Sequence, residues 1–172
     1  MSRATGSATT VLGTLSGAST GVIAAAGDYA ANDILSNSAT NDAGVAWVFD
    51  RISRQGGGSG WIMGARLTCS VDALVPRMRL WLFDANPSAS ELDDDAAFSL
   101  AVADRTKLIG YIDFNALTDA GAVSVTVRDD LRIPFKCAAG DDAVYGILQT
   151  LDAFTNESAG MTVTISLHAV GD

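Results

Sequence analysis

The sequence predicts an all-β protein: an antiparallel β-sandwich, jelly-roll-like, of about eight strands, with an extended N-terminal arm. Three observations predict it. Apolar and polar residues alternate over several strand-length stretches, the period of a half-buried strand. Breaker-rich turns separate those stretches. Helical periodicity is confined to one short segment.

Residues 1–28 are mostly Ser, Thr, Gly and Ala. Such unpatterned sequence buries little surface, so a flexible or extended arm is expected there, ordering on a neighbouring subunit in the sharper reading. An edge strand within Gly21–Ala26 is the alternative. Residues 29–172 are expected to form the sandwich. The cleanest alternation sets Trp61, Met63, Ala65, Leu67, Cys69 and Val71 against Ile62, Gly64, Arg66, Thr68, Ser70 and Asp72. Sharing a face with Met63 and Leu67 puts Trp61 in the core. Met78, Leu80 and Leu82 alternate with Arg77, Arg79, Trp81 and Phe83. Trp81 and Phe83 make that strand apolar on both sides, so it is either central to the fold or covered by a partner. Val123, Val125 and Val127 alternate with Ala122, Ser124, Thr126 and Arg128. Met161, Val163, Ile165, Leu167 and Ala169 alternate with Thr162, Thr164, Ser166 and His168. Weaker strands are expected at Val45–Ile52, Leu108–Phe114, Leu131–Phe135 and Ala143–Leu151. Turns fall at Gln55–Gly60, Asn86–Pro87, Thr118–Gly121 and Ala139–Asp142.

The stretch between Phe83 and Leu108 stands apart. It opens with Asp-Ala-Asn-Pro and carries Glu91, Asp93, Asp94 and Asp95. A loop this long inside a compact domain usually exists for contact or function. A jelly roll accommodates it as a crossover. A short helical turn is expected around Leu100–Thr106, with Ser99 as its N-cap.

The 172 residues fit one domain. With 48% hydrophobic and 18% charged residues, the chain can pack a core and is not globally disordered. Its net charge of −9 repels phosphate backbones, so no nucleic-acid partner is expected. The first residues lack the apolar core of a signal peptide. No apolar run is long enough to cross a bilayer as a helix, so no membrane partner is expected. Two cysteines, Cys69 and Cys137, are too few for a disulfide framework and lack metal-ligand spacing. Buried free thiols and folding in a reducing cytoplasm are expected.

Candidate chemistry is sparse. The single histidine, His168, lies on the polar face of the last strand, with no nucleophile motif beside it. Asp93, Asp94 and Asp95 are the calcium candidates, because carboxylates are the ligands calcium prefers. Their spacing is not that of an EF-hand, and a solvated acidic loop is the simpler reading. Carboxylate pairs for glycoside hydrolysis could be assembled from many acids, and nothing singles out a pair. No phosphate-binding loop is present. The expectation is a protein without catalytic residues, enzymatic activity or cofactor.

Three stretches carry a resemblance: YAANDILSNS (Tyr29–Ser38), LWLFDANPSASELDDDAAFSL with DRTKLIGYIDF (Leu80–Phe114), and LRIPFKCAAGDDAVYGILQTLDAFT (Leu131–Thr155). Together they resemble virion structural proteins of tailed bacteriophages, in particular the decoration, or cement, proteins on the outside of the capsid. The resemblance covers most of residues 29–168. It implies a jelly-roll-like sandwich without catalytic activity, placed on the outer capsid surface of the virion. It also implies self-association as a dimer or trimer and binding to the major capsid protein. A tail, baseplate or fibre-anchoring subunit is the alternative within virions. A sugar- or calcium-binding sandwich is the alternative outside them.

Overall fold

Alternating side chains make strands here because the pleat sends successive residues to opposite faces. The computed structural model describes residues 10–13, 21–23, 27–37, 44–71, 75–156 and 161–171. Among them are 14 strands and no helix. In chain order these are β1 (Thr10–Gly13), β2 (Gly21–Ile23), β3 (Gly27–Tyr29), β4 (Ile34–Leu35), β5 (Trp47–Phe49), β6 (Ser59–Cys69) and β7 (Met78–Phe83). They continue with β8 (Leu108–Phe114), β9 (Thr118–Asp119), β10 (Ser124–Arg128), β11 (Ile133–Lys136), β12 (Val144–Thr150), β13 (Phe154–Asn156) and β14 (Met161–Gly171). The expected number, about eight, is too low because short edge strands of two to four residues carry no alternation to read.

Every strand pairing among the described residues is antiparallel, and the fold is a β-sandwich. The first sheet runs β1-β14-β6-β10-β9, with β11 also on β6 and β2 also on β14. The second runs β4-β12-β7-β8, with β5 also on β12. A small ribbon joins β3 to β13. The long pairings nest: β14 returns to β6, and β12 returns to β7. Between the sheets lies the main core, with Leu67, Ile165 and Leu167 on one side and Leu80, Leu82, Phe49 and Leu148 on the other. Cys69 and Cys137 are free and buried, and burial pushes both thiols up. Most of the expected arm lies outside the described residues. Of the parts described, β1 and β2 lie along β14, and Gly27 and Asp28 open β3 against β13.

Two alternation readings are corrected. Trp61 is 50% exposed, whereas Ile62 is fully buried. The cause is a bulge. Along β14, His168 faces Gly64 and the next residue, Ala169, faces Ile62, so Met63 is the extra residue on β6. Ala65, Leu67 and Cys69 point inward after it, and Ile62 does so before it. The opposite neighbour changes at the same place. β6 pairs with β10 up to Ala65 and with β11 from Ile62. The turn between those strands sets Asp130 at φ 58°, and its Leu131 N–H donates to Met63 O at 3.0 Å. The second correction concerns β10. Ser124 and Thr126 are buried, and Val127 is 51% exposed. Register decides this, because Ser124 and Thr126 sit opposite the inward Cys69 and Leu67. The Ser124 hydroxyl is satisfied, donating to Val71 O at 2.8 Å.

Close packing between the sheets makes Gly146 a sensitive position. A Cβ there would stand 2.8 Å from Leu80 Cδ1 and 3.1 Å from Phe49 Cε2. Gly146→Ala is expected to cost about 1–3 kcal/mol by overpacking, measured by urea unfolding. Trp61→Ala should cost well under the ~3–5 kcal/mol of a buried tryptophan. A larger loss would return Trp61 to the core.

Candidate functional site

Trp81, Phe83 and Ile147 share the outer face of the second sheet, away from the main core. A sheet face this apolar must be covered. The chain covers it with its own crossover, residues 84–107. Leu92, Phe98 and Leu100 pack with Ile34, Phe83 and Ile147 in a second, smaller apolar cluster. Phe98 stacks on Trp81, with ring centroids 4.9 Å apart and planes 9° from parallel. The strand that is apolar on both faces is therefore covered by the chain itself.

Polar anchors fix the path of this cover. At the first, Tyr29 Oη donates to Asp94 Oδ2 at 2.8 Å, and the Ser36 N–H donates to Asp94 Oδ1 at 2.9 Å. The Tyr29 ring stacks on Phe154 at 4.9 Å. Beside it the Gly44 N–H donates to Asp93 Oδ1 at 3.0 Å. A side chain at Gly44 would collide with the Leu92 carbonyl, so glycine is what lets the crossover pass so close. Backbone bonds continue the zip: Asp95 N–H to Ile34 O, Ile34 N–H to Ala96 O, and Phe98 N–H to Asn32 O.

The second anchor is Asp104, which is fully buried. It accepts from the Ala89 N–H at 2.9 Å, Ser90 Oγ at 2.8 Å and Lys107 Nζ at 2.7 Å. Lys107 also donates to Asn86 O at 2.7 Å, closing the crossover on itself. The helical turn expected at Leu100–Thr106 is instead a pair of tight turns, with Asp104 N–H bonded to Ala101 O and Lys107 N–H to Asp104 O. Ser99 caps no helix; its carbonyl accepts the Glu91 N–H.

The acidic triplet thus divides its work. Asp94 is buried, not solvated. Burial is the main cause that pushes its carboxyl up, against the lowering bonds from Ser36 and Tyr29. Burial and then the Asp94 hydrogen bond push the Tyr29 phenol up in turn. Asp95 is exposed and held at φ 61°. Its carboxyl is raised by partial burial first and then by its neighbour Asp33. For Asp104, burial works to raise the carboxyl, but Lys107, Ser90 and the Ala89 N–H together hold it below the usual range. Among the described residues, no group of three or more His, Cys, Asp or Glu is placed to hold a metal ion.

Next to the cover, Arg79 makes a two-pronged ion pair with Asp113, at 2.6 and 3.0 Å. Its guanidinium lies 4.2 Å from the Tyr111 ring centre and 5.3 Å from that of Trp81. Trp81 Nε1 donates to Gln149 Oε1 at 2.8 Å. A cleft of about 450 Å³ opens beside the crossover, lined by Val45, Val48, Asn86, Ser88 and Leu92 among others. None of these carries an acid, a base or an activated nucleophile. His168 is exposed on the first sheet, opposite Gly64 and away from the crossover. Sequence reasoning missed Asp104, Tyr29 and the Arg79–Asp113 pair. Only Asp104 left a local trace, its spacing of three residues from Lys107. The chain matches no protein-family model and no curated protein.

Removing the buried anchor is the direct test of the cover. Asp104→Ala should cost about 3 kcal/mol, the low end for a broken buried pair because Lys107 keeps some solvent. Its effect should fade in acid, since a lowered carboxyl adds stability above its unfolded pKa and loses it as the pH drops through the folded one. Asp95→Asn should behave oppositely. A raised carboxyl favours the fold at low pH and disfavours it as the pH rises through its folded pKa. The substitution should therefore stabilise at neutral pH and gain nothing well below about pH 4, where the carboxyl is protonated in both states. Urea titrations across pH check both signs, and a gain that persists in acid would remove charge as the cause.

Proposed function

We propose that this chain is a non-enzymatic structural protein of a tailed-phage virion, decorating and stabilising the outer surface of the capsid shell. Its partners in this reading are the major capsid protein and further copies of itself. The observation that supports the reading is convergence of the three resembling stretches at one place. Tyr29 from the first bonds Asp94 from the second and stacks on Phe154 from the third. Asn32 from the first accepts from Gln149 of the third at 3.4 Å, and Gln149 accepts from Trp81 of the second. The motifs therefore specify a single braced surface, which suits a protein whose task is contact. A shell protein needs repeated weak contacts and a rigid surface to make them, and symmetry multiplies each contact.

The test is co-sedimentation of the purified chain with phage shells stripped of decoration. Saturable binding at hundreds of copies per shell, with a raised shell melting temperature, is expected. A handful of copies confined to one vertex would favour the tail or baseplate role. No binding to either immature or expanded shells would end the decoration reading.

A further inference from the structure

The outer face of the first sheet carries an apolar strip that the described residues leave exposed. Trp61 and Met63 on β6, Val127 on β10 and Val170 on β14 stand open there, at 50%, 37%, 51% and 37%. The exposed Pro134 of β11 lies opposite Trp61 and extends the strip. Its charges are few and mixed. Arg66, Arg132 and Lys136 are exposed on this side, and Asp129 and Asp130 stand between β10 and β11. These are three of the chain's 11 cations and two of its 20 acids, which leaves eight cations against 18 acids elsewhere. A second copy, as acidic as the first, is therefore repelled least where two such faces meet.

The strip is also arranged to fit itself. At the bulge, His168 of β14 pairs with Gly64. Two residues to either side of His168, Val170 pairs with Trp61 and Ser166 with Arg66. Trp61 and Arg66 thus lie equally far from the bulge in opposite directions. The adjoining column repeats the pattern, with Pro134 opposite Trp61 and Val127 opposite Arg66. Arg132 and Asp129 fall between them, at the level of the bulge, and Asp129 Oδ1 is 3.5 Å from where a Cβ on Gly64 would stand.

We infer that two copies of this chain pack first sheet against first sheet, about a two-fold axis that crosses the strands at the bulge. Such an axis runs the facing strands antiparallel and lays each position on the one equally far beyond the bulge. Arg66 then lies over the partner's Trp61, a cation on an indole face. Val127 meets the partner's Pro134, and Arg132 meets the partner's Asp129. Each contact is made twice, and the cations fall on a ring or a carboxylate instead of on one another. The size is adequate. β6 and β14 have 11 residues each. Strands of that length across three columns offer roughly 500 Å² per copy in projection, or about 1,000 Å² for the pair, where specific interfaces begin. Trp61 sits near the centre of that area, where an aromatic anchor contributes most.

The inference deepens the self-association in the proposed function and rests on that reading for nothing else. Its experiment uses the isolated full chain, so shells play no part. Sedimentation velocity should show a monomer–dimer equilibrium that stops at the dimer, because a two-fold contact closes on itself. Trp61→Ser should weaken the dimer at least about tenfold while leaving the far-ultraviolet circular dichroism unchanged. Arg132→Asp and Asp129→Arg should each weaken it too, since each sets like charges against each other at the axis. The decisive arm mixes these two charge variants. Across a two-fold axis the all-acidic centre of one meets the all-basic centre of the other, so a one-to-one heterodimer should replace both weakened homodimers. A chain that stays monomeric, growth beyond the dimer, indifference to Trp61→Ser, or a mixture that forms no heterodimer would each overturn the inference. A monomer that still coats shells would do so while leaving the decoration role standing.

Discussion

The rest of the structure depends on how the second sheet disposes of its outer face. β7 and β12 are apolar on both sides, and one side only can meet the first sheet. Water cannot satisfy Trp81, Phe83 and Ile147, so something must lie over them. Burial alone is non-directional and would accept many loop paths. The path is fixed by groups that lose most if displaced, chiefly the buried Asp94 and Asp104 carboxylates. Length follows from this. The segment must leave β7, cross the sheet to the β4 edge, zip against Asn32–Ile34, and return to start β8 beside β7. A tight hairpin would join the same two strands and leave the face bare.

The two anchors answer protons in opposite directions. Asp104 owes its depressed pKa to a lysine and two further donors, so it holds best when ionised. Asp94 and Asp95 are raised, the one by burial and the other by burial with a carboxylate neighbour, so ionisation strains their end. One end of the crossover is thus tuned for neutral pH and the other relaxes in acid. The Tyr29 hydroxyl moderates the difference by donating to Asp94, which keeps a buried carboxylate hydrogen-bonded in either charge state.

Strands were legible in the sequence wherever the pleat repeats without interruption. β14 buries Met161, Val163, Ile165, Leu167 and Ala169 as its alternation requires, and β8 spans Leu108–Phe114 as read. Legibility ended where a partner sets the face. In β10 the valines look like the core side, yet register to β6 turns Ser124 and Thr126 inward. A single strand holds no record of its neighbour's register. The candidate site followed the same rule. The crossover was visible as a long acidic loop, but its anchors join residues as far apart as Tyr29 and Asp94, and such pairing leaves no local spacing. Three adjacent carboxylates look alike in sequence, and their spacing alone suggests a solvated run. Burial distinguishes them in space, with Asp94 at 6% exposure and Asp95 open to solvent.

The bulge at Met63 shows how much one residue can redirect. Period two has no memory of an insertion, so an extra residue reverses the facing of everything on one side of it. Without it, the register that buries Ala65, Leu67 and Cys69 would also bury Met63 and Trp61 and expose Ile62. With it, Ile62 enters the core and the largest side chain of β6 moves to the surface, next to Arg132 and Lys136 of β11. The bulge is tied to the chain reversal at Asp129–Asp130, because Leu131 bonds the Met63 carbonyl that the interrupted ladder would otherwise strand. Gly64 completes it: a Cβ there would come within 3.1 Å of the Arg128 carbonyl. The apolar outer face of the first sheet, which the described residues leave exposed, is therefore built by backbone geometry. It is the counterpart of the second sheet's outer face, where the same problem is solved by covering.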